Sequence, residues 1–489
     1  MSSAAAAPAT VEPPREGSLA RFWPYAAVLA VAAPVRLWAA VADQGLFWPD
    51  EIYQSLEQAH RFAFGNGLIP WEFQEGARSW LFPGLIGLLW KVAHALGVRD
   101  ALSLIVIAKV AVVAVGLCGI ALAMRFAERL AGVSGALIAG ALCAAMPAMV
   151  VYAARCMTET VSGPLLIGAA LLVLEGGGRR AQLAGLLAGA SVFFRYQNGL
   201  VTAGLLVVLL VQRRNRDALQ YALFAAAVGL AGGALDWVTW GQPFHSFALY
   251  LKFNLIEGKA ANWGTSPIYY YLQTAWSAAG PLALLIPVGL AFAWPRARAY
   301  VVLVLAYVLA HALVPHKEYR FLVPILPLCF ALVGAGLAGL LERLRLPRSA
   351  APLLAAAVVV LGTRTAVAET FTDMGQYLGS PAGARSVWHA DEDVNRVLLA
   401  AGRRADLCGI VVAGIHPAWM GGYTYLNRDV PIYFRAGQSE AQGSNYIAAP
   451  AGARLPADWT EVFRRGRFAL FHREGGCTPR PASWKPILP

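Results

Sequence analysis

Long apolar runs separated by short polar turns recur along the first three quarters of the chain. They fall at 22–42, 102–124, 133–152, 160–175, 182–195, 199–212, 219–237, 277–295, 299–314, 320–341 and 351–369. An upright membrane helix needs about 20 apolar residues. The pattern therefore predicts an α-helical polytopic membrane protein with about eleven transmembrane helices, several of them short. The runs 182–195 and 199–212 are parted by Arg195, Tyr196, Gln197 and Asn198. They read either as two spans or as one helix broken where its backbone is buried in protein. Residues 81–97 are apolar but carry Pro83, Lys91 and His94, which suits an interfacial or re-entrant segment. Ile52, Leu56, Ala59 and Ala63 recur at helical spacing, predicting an amphipathic helix over 50–64 on the membrane surface. The start lacks the pattern of a cleavable secretory signal, so the first run reads as a signal anchor behind a disordered stretch, 1–20. After the membrane domain, 21–369, the pattern changes. Residues 370–489 mix polarities, are rich in Gly and Pro, and hold short β-like runs at 409–412 and 468–472. They predict a small α/β domain outside the membrane.

Composition narrows the class. The 489 residues are 58% hydrophobic and only 14% charged, against about 45–50% and 25% in soluble domains. That excludes a disordered chain, a disulfide scaffold and a fibrous repeat. The net charge of +12 does not point to nucleic acid, because the basic residues sit in short loops between apolar runs. Arg125 and Arg129, Arg179 and Arg180, Arg213, Arg214 and Arg216, Arg296 and Arg298, and Arg343, Arg345 and Arg348 all fall in loops on one side. The positive-inside rule makes that side cytoplasmic, with the N-terminus. The C-terminal domain and the loops at 43–101, 153–159, 238–276 and 316–320 then face away from the cytoplasm. Of the six cysteines, Cys118, Cys143, Cys156 and Cys329 lie in or beside apolar runs and read as small hydrophobes. Cys408 and Cys477 lie in the C-terminal segment; they are a disulfide candidate in an oxidising compartment, or two unrelated thiols. No metal-ligand spacing is present, and no cofactor is expected.

The outer side carries the candidate chemistry. Ionisable residues next to membrane helices are costly and usually functional. Asp50 and Glu51 follow Pro49 at a helix start, where acids are ordinary caps; alternatively they are carboxylates at a cavity mouth, able to accept a hydroxyl proton. Trp71 and Glu72, then Arg78, suit a sugar or headgroup, or an interfacial belt. Arg155 and Glu159 lie close enough in sequence to be each other's ion-pair partners, and Arg195 sits at the broken helix. Lys252, Asn254 and Tyr269 fall in the fourth outer loop, where the tyrosine run 269–271 would serve equally as an interfacial anchor. His316, Lys317 and Arg320 crowd the outer end of a span, against the charge bias. Lys and Arg there would clamp a phosphate, unless they merely snorkel. The residues 421–425, GGYTY, are a glycan-contacting loop or a turn flanked by strand aromatics.

A carboxylate, a phosphate clamp and aromatic platforms on this face suit sugar transfer from a lipid phosphate, since sugar nucleotides are not normally available there. The rival from another class is a transporter or flippase of a polyprenyl-linked sugar. Internal repeats would favour it, and none is visible.

Four segments carry a resemblance to a known family. HKEYRFLVPILPL at 316–328 resembles the His-Lys-Glu-x-Arg-Phe signature of the GT-C lipid-phosphate-mannose α-mannosyltransferases of N-glycan and GPI-anchor assembly. WPDEIYQSLEQAHRFAFGNG at 48–67 and WEFQEGARSWLFP at 71–83 resemble their first luminal loop. KFNLIEGKAANWGTSPIYYYL at 252–272 is most similar to the branch that adds the third mannose of the GPI anchor. The resemblance spans about 45–330. It implies a GT-C fold and inverting transfer of a hexose, mannose above all, from a polyprenyl-phosphate donor to a glycan or glycolipid acceptor at the bilayer, without a metal. It implies Asp50, with Glu51 beside it, as acid/base, and His316, Lys317 and Arg320 at the donor phosphate. Trp48 departs from the family's usual His, and Tyr319 replaces a second acid of the N-glycan branch. The Ala/Arg-rich usage and the appended domain suggest a bacterial member in an inner plasma membrane, acting on an envelope glycan. Protein O-mannosylation uses the same donor and stands as a further alternative.

Overall fold

The computed structural model describes residues 22–434, 443–475 and 484–488. Seven helices within them are long and apolar enough to cross a membrane, and they lie on the predicted runs. The first, α1 (Trp23–Ala42), has a proline in its first turn, where a missing N–H costs nothing. The predicted runs 102–124 and 133–152 meet in one long element, α2 (Ala101–Ala145), which kinks at Ala131 and Gly132. Asp100 caps it by accepting from the Ser103 N–H at 2.9 Å. Thr158–Glu175 forms α3. The interrupted pair is indeed broken: α4 (Gly178–Phe194) ends at an extended Arg195, Tyr196–Asn198 make one tight turn, and α5 (Gly199–Val211) follows. Beyond it lie α6 (Asn215–Trp240), α7 (Leu285–Leu313), α8 (Leu326–Arg343) and α9 (Ala350–Ala368). α7 breaks at Ala297, just past Pro295, where proline removes a helix hydrogen bond. Leu81–Ala95 is a shorter apolar helix.

α8 is the axis of the bundle, buried along nearly its whole length between α2 and α7. Small residues let the backbones approach. A Cβ on Gly336 would meet the Gly289 carbonyl at 1.8 Å, and one on Gly334 the Ala139 nitrogen at 2.5 Å. By contrast α1, α6 and α9 leave many large apolar side chains exposed, as helices facing lipid do.

The C-terminal region holds α10 (Glu392–Gly402) and five strands: β1 (Ile410–Val412), β2 (Ile432–Tyr433), β3 (Tyr446–Pro450), β4 (Thr460–Arg465) and β5 (Phe468–His472). Their order is β2-β1-β3-β5-β4. β1 runs parallel to β2 and β3, while β5 pairs antiparallel with β3 and β4. The expected strands at 409–412 and 468–472 are β1 and β5. Cys408 sits just before β1, and Cys477 lies outside the described residues.

One expectation changes. The segment 50–64 is helical, as Pro49–Glu51, a wider π turn at Ile52–Leu56, and Glu57–Phe64. It is not a surface helix. Ile52, Leu56 and Ala59 are buried as expected, but so are Glu51, Ser55, Glu57, Gln58 and His60. The C-terminal domain covers the polar face. Glu57 accepts from the Leu68, Tyr423 and Thr424 N–H groups at 2.8, 2.9 and 2.9 Å and from the Thr424 hydroxyl at 2.7 Å. The Tyr53 hydroxyl reaches the Pro417 and Met420 carbonyls at 2.7 and 2.9 Å, and His60 lies 3.0 Å from Asn427. Residues 421–425 are thus buried against this helix, with no surface left for a glycan. The tail also docks here: the Ile69 N–H donates to Pro486 at 2.6 Å, and the Leu488 N–H to Ile69 at 3.0 Å.

Removing Glu57 would strand several buried donors, each costing about 1–3 kcal/mol. Glu57→Ala is expected to lower the melting temperature and open the C-terminal domain to limited proteolysis, with Glu57→Gln milder. An unchanged melting curve for Glu57→Ala would show that the domain is held elsewhere.

Candidate active site

The segment after α7 cannot stay helical. Pro315 and Pro324 interrupt it, Glu318 is extended, and Tyr319–Ile325 winds as a tight turn into α8. That geometry turns Arg320 inward, 6% exposed. Its guanidinium meets Glu318 at 2.7 Å, Asp50 at 2.7 Å and Glu159 at 3.5 Å. Glu159 lies in the first turn of α3, where the helix dipole favours a carboxylate. Gly163, one turn on, packs against Pro324 and brings Glu159 to Arg320. Glu159 also takes Arg195 at 2.7 Å. Arg195 comes from the break between α4 and α5. It is buried, with its guanidinium over the Phe321 ring at 5.0 Å. The result is an alternating chain of charges, Asp50–Arg320–Glu159–Arg195. Asp50 is its half-exposed end.

Arg155 and Glu159, near enough in sequence to pair, have other partners. Met157 is extended, so the two side chains do not stack as neighbouring helical turns would. Arg155 instead binds Asp43 at 2.6 Å and Glu51 at 3.4 Å. Glu51 also accepts from the Cys156 N–H at 3.0 Å. Adjacent residues of one turn therefore point to different partners, Asp50 to Arg320 and Glu51 to Arg155.

Asp50, Arg78, Glu159, Arg195, Gln197 and Tyr250 line one cavity. Glu72 stands behind it, accepting from Gln54 at 2.8 Å. Burial pushes the Glu72 carboxyl up, Arg78 opposes this, and Asp50 adds to it. Trp71 stacks on Phe253 at 4.8 Å, and Asn254 donates to the Tyr250 carbonyl at 2.9 Å. Lys252 lies outward near Glu257 at 3.7 Å, and Tyr269 is 58% exposed. His316 lies 2.9 Å from Glu318 and 3.0 Å from the Gly264 carbonyl. Lys317 donates to the Val314 and Ser266 carbonyls at 2.6 and 2.8 Å. Neither His316 nor Lys317 is on the cavity wall. Sequence reading overlooked Gln197 and Tyr250 as wall residues, although the polar break at 195–198 was the signal for the first. It also overlooked Glu318 as the residue that orients Arg320.

The architecture matches solved structures. The chain resembles ArnT from Cupriavidus metallidurans bound to undecaprenyl phosphate, at 15% identity and a TM-score of 0.56, over 91% of this chain and 97% of that one. It also resembles the Archaeoglobus fulgidus oligosaccharyltransferase, at 11% identity and a TM-score of 0.56, over 87% and 68%. This is the GT-C fold of multi-span membrane proteins, with a small C-terminal sheet domain appended. The Alg9-like mannosyltransferase family matches residues 26–389, and the chain belongs to that family. A GPI mannosyltransferase 3 of Yarrowia lipolytica is 31% identical over 313 residues, 62% of this chain and 60% of that one. The match thus spans about three fifths of the length of the first curated relatives.

Burial alone would raise the Glu318 carboxyl, but Arg320 and then His316 outweigh it and hold it at about 2, against 4.5 ordinarily. A depressed carboxylate stabilises fully above its unfolded value, and that contribution is lost as pH falls through the folded one. Glu318→Gln is therefore expected to lower the melting temperature at pH 7, with the gap to the parent closing between about pH 4.5 and 2. A gap independent of pH would contradict the pairing with Arg320.

Proposed function

We propose that the chain is an inverting glycosyltransferase. It moves a hexose, mannose by its family, from a polyprenyl-phosphate donor to a hydroxyl of a lipid-linked or envelope glycan. The observation that carries this reading is Asp50: a half-exposed carboxylate on the cavity wall, fixed at 2.7 Å by a buried arginine. In the proposed reaction Asp50 takes the acceptor hydroxyl proton as the oxygen attacks the anomeric carbon. The carbon–oxygen bond to the phosphate breaks, and the electron pair leaves with the lipid phosphate. Arg78 and Arg195 on the cavity wall meet that charge. Arg320 keeps Asp50 in place. Glu51, held by Arg155 and the Cys156 N–H, acts on Asp50 as a positioning residue. His316 and Lys317 act as positioning residues, through the shape of the loop that aims Arg320 at Asp50. The donor class is supported by the family and by the undecaprenyl phosphate named for the bacterial structure. The positive-inside charge pattern supports an extracytoplasmic site.

Sugar transfer from synthetic polyprenyl-phosphate mannose, in membranes holding equal amounts of parent or Asp50→Asn, tests this. Mass spectrometry of lipid and envelope glycans is the readout. The variant is expected to lose at least about 10²-fold. Transfer that survives in Asp50→Asn would remove Asp50 as the base.

A further inference from the structure

Outside the cavity wall, Asp50's partner Arg320 faces an aromatic surface built by two parts of the chain. The Arg320 guanidinium lies over the Trp48 ring at 5.3 Å. Trp48 meets Trp419 edge-on at 6.1 Å, and Trp419 meets Tyr377 at 6.1 Å. All three rings are only half-buried. Tyr377 and Trp419 follow the last span, and Trp419 lies beyond the family's matched segment, which ends at 389. Two features set this surface apart from plain interdomain packing. The Trp419 turn is pinned on both sides by Tyr53, whose hydroxyl reaches Pro417 and Met420 at 2.7 and 2.9 Å. Tyr53 sits one turn after Asp50, so Trp419 is placed relative to the carboxylate, not merely relative to its own domain. Tyr377 holds a φ of 53°, a left-handed conformation that is costly for a bulky residue and collects at functional sites. Its neighbour Gln376 is buried, and neither side-chain amide atom has a partner among the described residues.

We propose that Trp48, Tyr377 and Trp419 form a subsite for a neutral hexose ring, the sugar that accepts the transfer. Partly exposed aromatic rings beside a charged cavity suit the apolar face of a sugar ring. The charged cavity suits the phosphate end of the donor, and this surface offers ring faces in place of a pair of free cations. Asp50 then stands between a donor side and an acceptor side. The word acceptor rests on the transferase reading; the binding of a sugar does not.

The test uses the full chain in lipid nanodiscs, free of glycoside detergent, with α-mannobiose as probe and saturation-transfer NMR for binding. The parent is expected to bind the probe. Trp419→Ala and Tyr377→Ala should weaken binding at least about fivefold, with Trp419→Phe in between. Equal binding by parent and Trp419→Ala, or no binding by the parent, overturns the subsite. If Trp419→Ala proves unstable by melting curve, Trp419→Phe and Tyr377→Ala carry the same comparison. In transfer assays Trp419→Ala should raise the acceptor KM and leave the donor KM unchanged; a donor effect alone overturns the assignment. Binding without any transfer by the parent would sink the transferase reading and leave the sugar site standing.

Discussion

A guanidinium removed from water at the end of a membrane helix must be met by carboxylates, or it costs several kcal/mol. Arg320 is that group, and the geometry of the site follows from satisfying it. Its three carboxylates come from the helix after α1, from the first turn of α3 and from its own extended approach to α8. Bringing them to one point fixes those segments relative to each other. Arg155 does the same a short distance away, tying Asp43 and Glu51. Because Asp50 and Glu51 are adjacent, the turn they share is held by two buried arginines at once. Such a turn has little freedom, which is what a base needs if its position is to be set before substrate arrives.

This polar cluster is supported by dense apolar packing. α8 runs through the middle of the bundle on glycines and alanines, so the tight turn that leads into it, which carries Arg320, cannot drift far from α3. On the other side the C-terminal domain closes over the helix at 50–64. The Glu57 carboxylate satisfies four donors there, three of them from positions 423 and 424. The domain is thus part of the scaffold of the candidate site. The tail pairs with Ile69, between this helix and the short helix Trp71–Glu75 behind the cavity.

Much of this was legible from residue order. Membrane helices announce themselves by length and hydropathy, and kinks fall between predicted runs. The polar interruption at 195–198 marked the break that delivers Arg195 to the site. What could not be read were partnerships across hundreds of positions. The segment 50–64 has the spacing of a surface helix; only its cover, from residues beyond 416, makes its polar face an interior one. Arg155 and Glu159 looked like partners because they are near in sequence, yet an extended Met157 separates them. The ammonium of Lys317 lies on the Ser266 and Val314 carbonyls, partners that its charge and place in the chain did not announce. The aromatic surface had no local signal, because Trp48 and Trp419 become neighbours only when the C-terminal domain docks.

The central claim is that Asp50 and Arg320 work as one unit. The most direct measurement is a double-mutant cycle on sugar transfer with Asp50→Asn, Arg320→Gln and the pair, each checked for folding by melting curve. Residues that act together are strongly non-additive. Each single variant is expected to lose at least about 10²-fold, and the double variant little more than the worse single. Losses that multiply in the double variant, or an Arg320→Gln protein that transfers sugar at the parent rate, would contradict that claim.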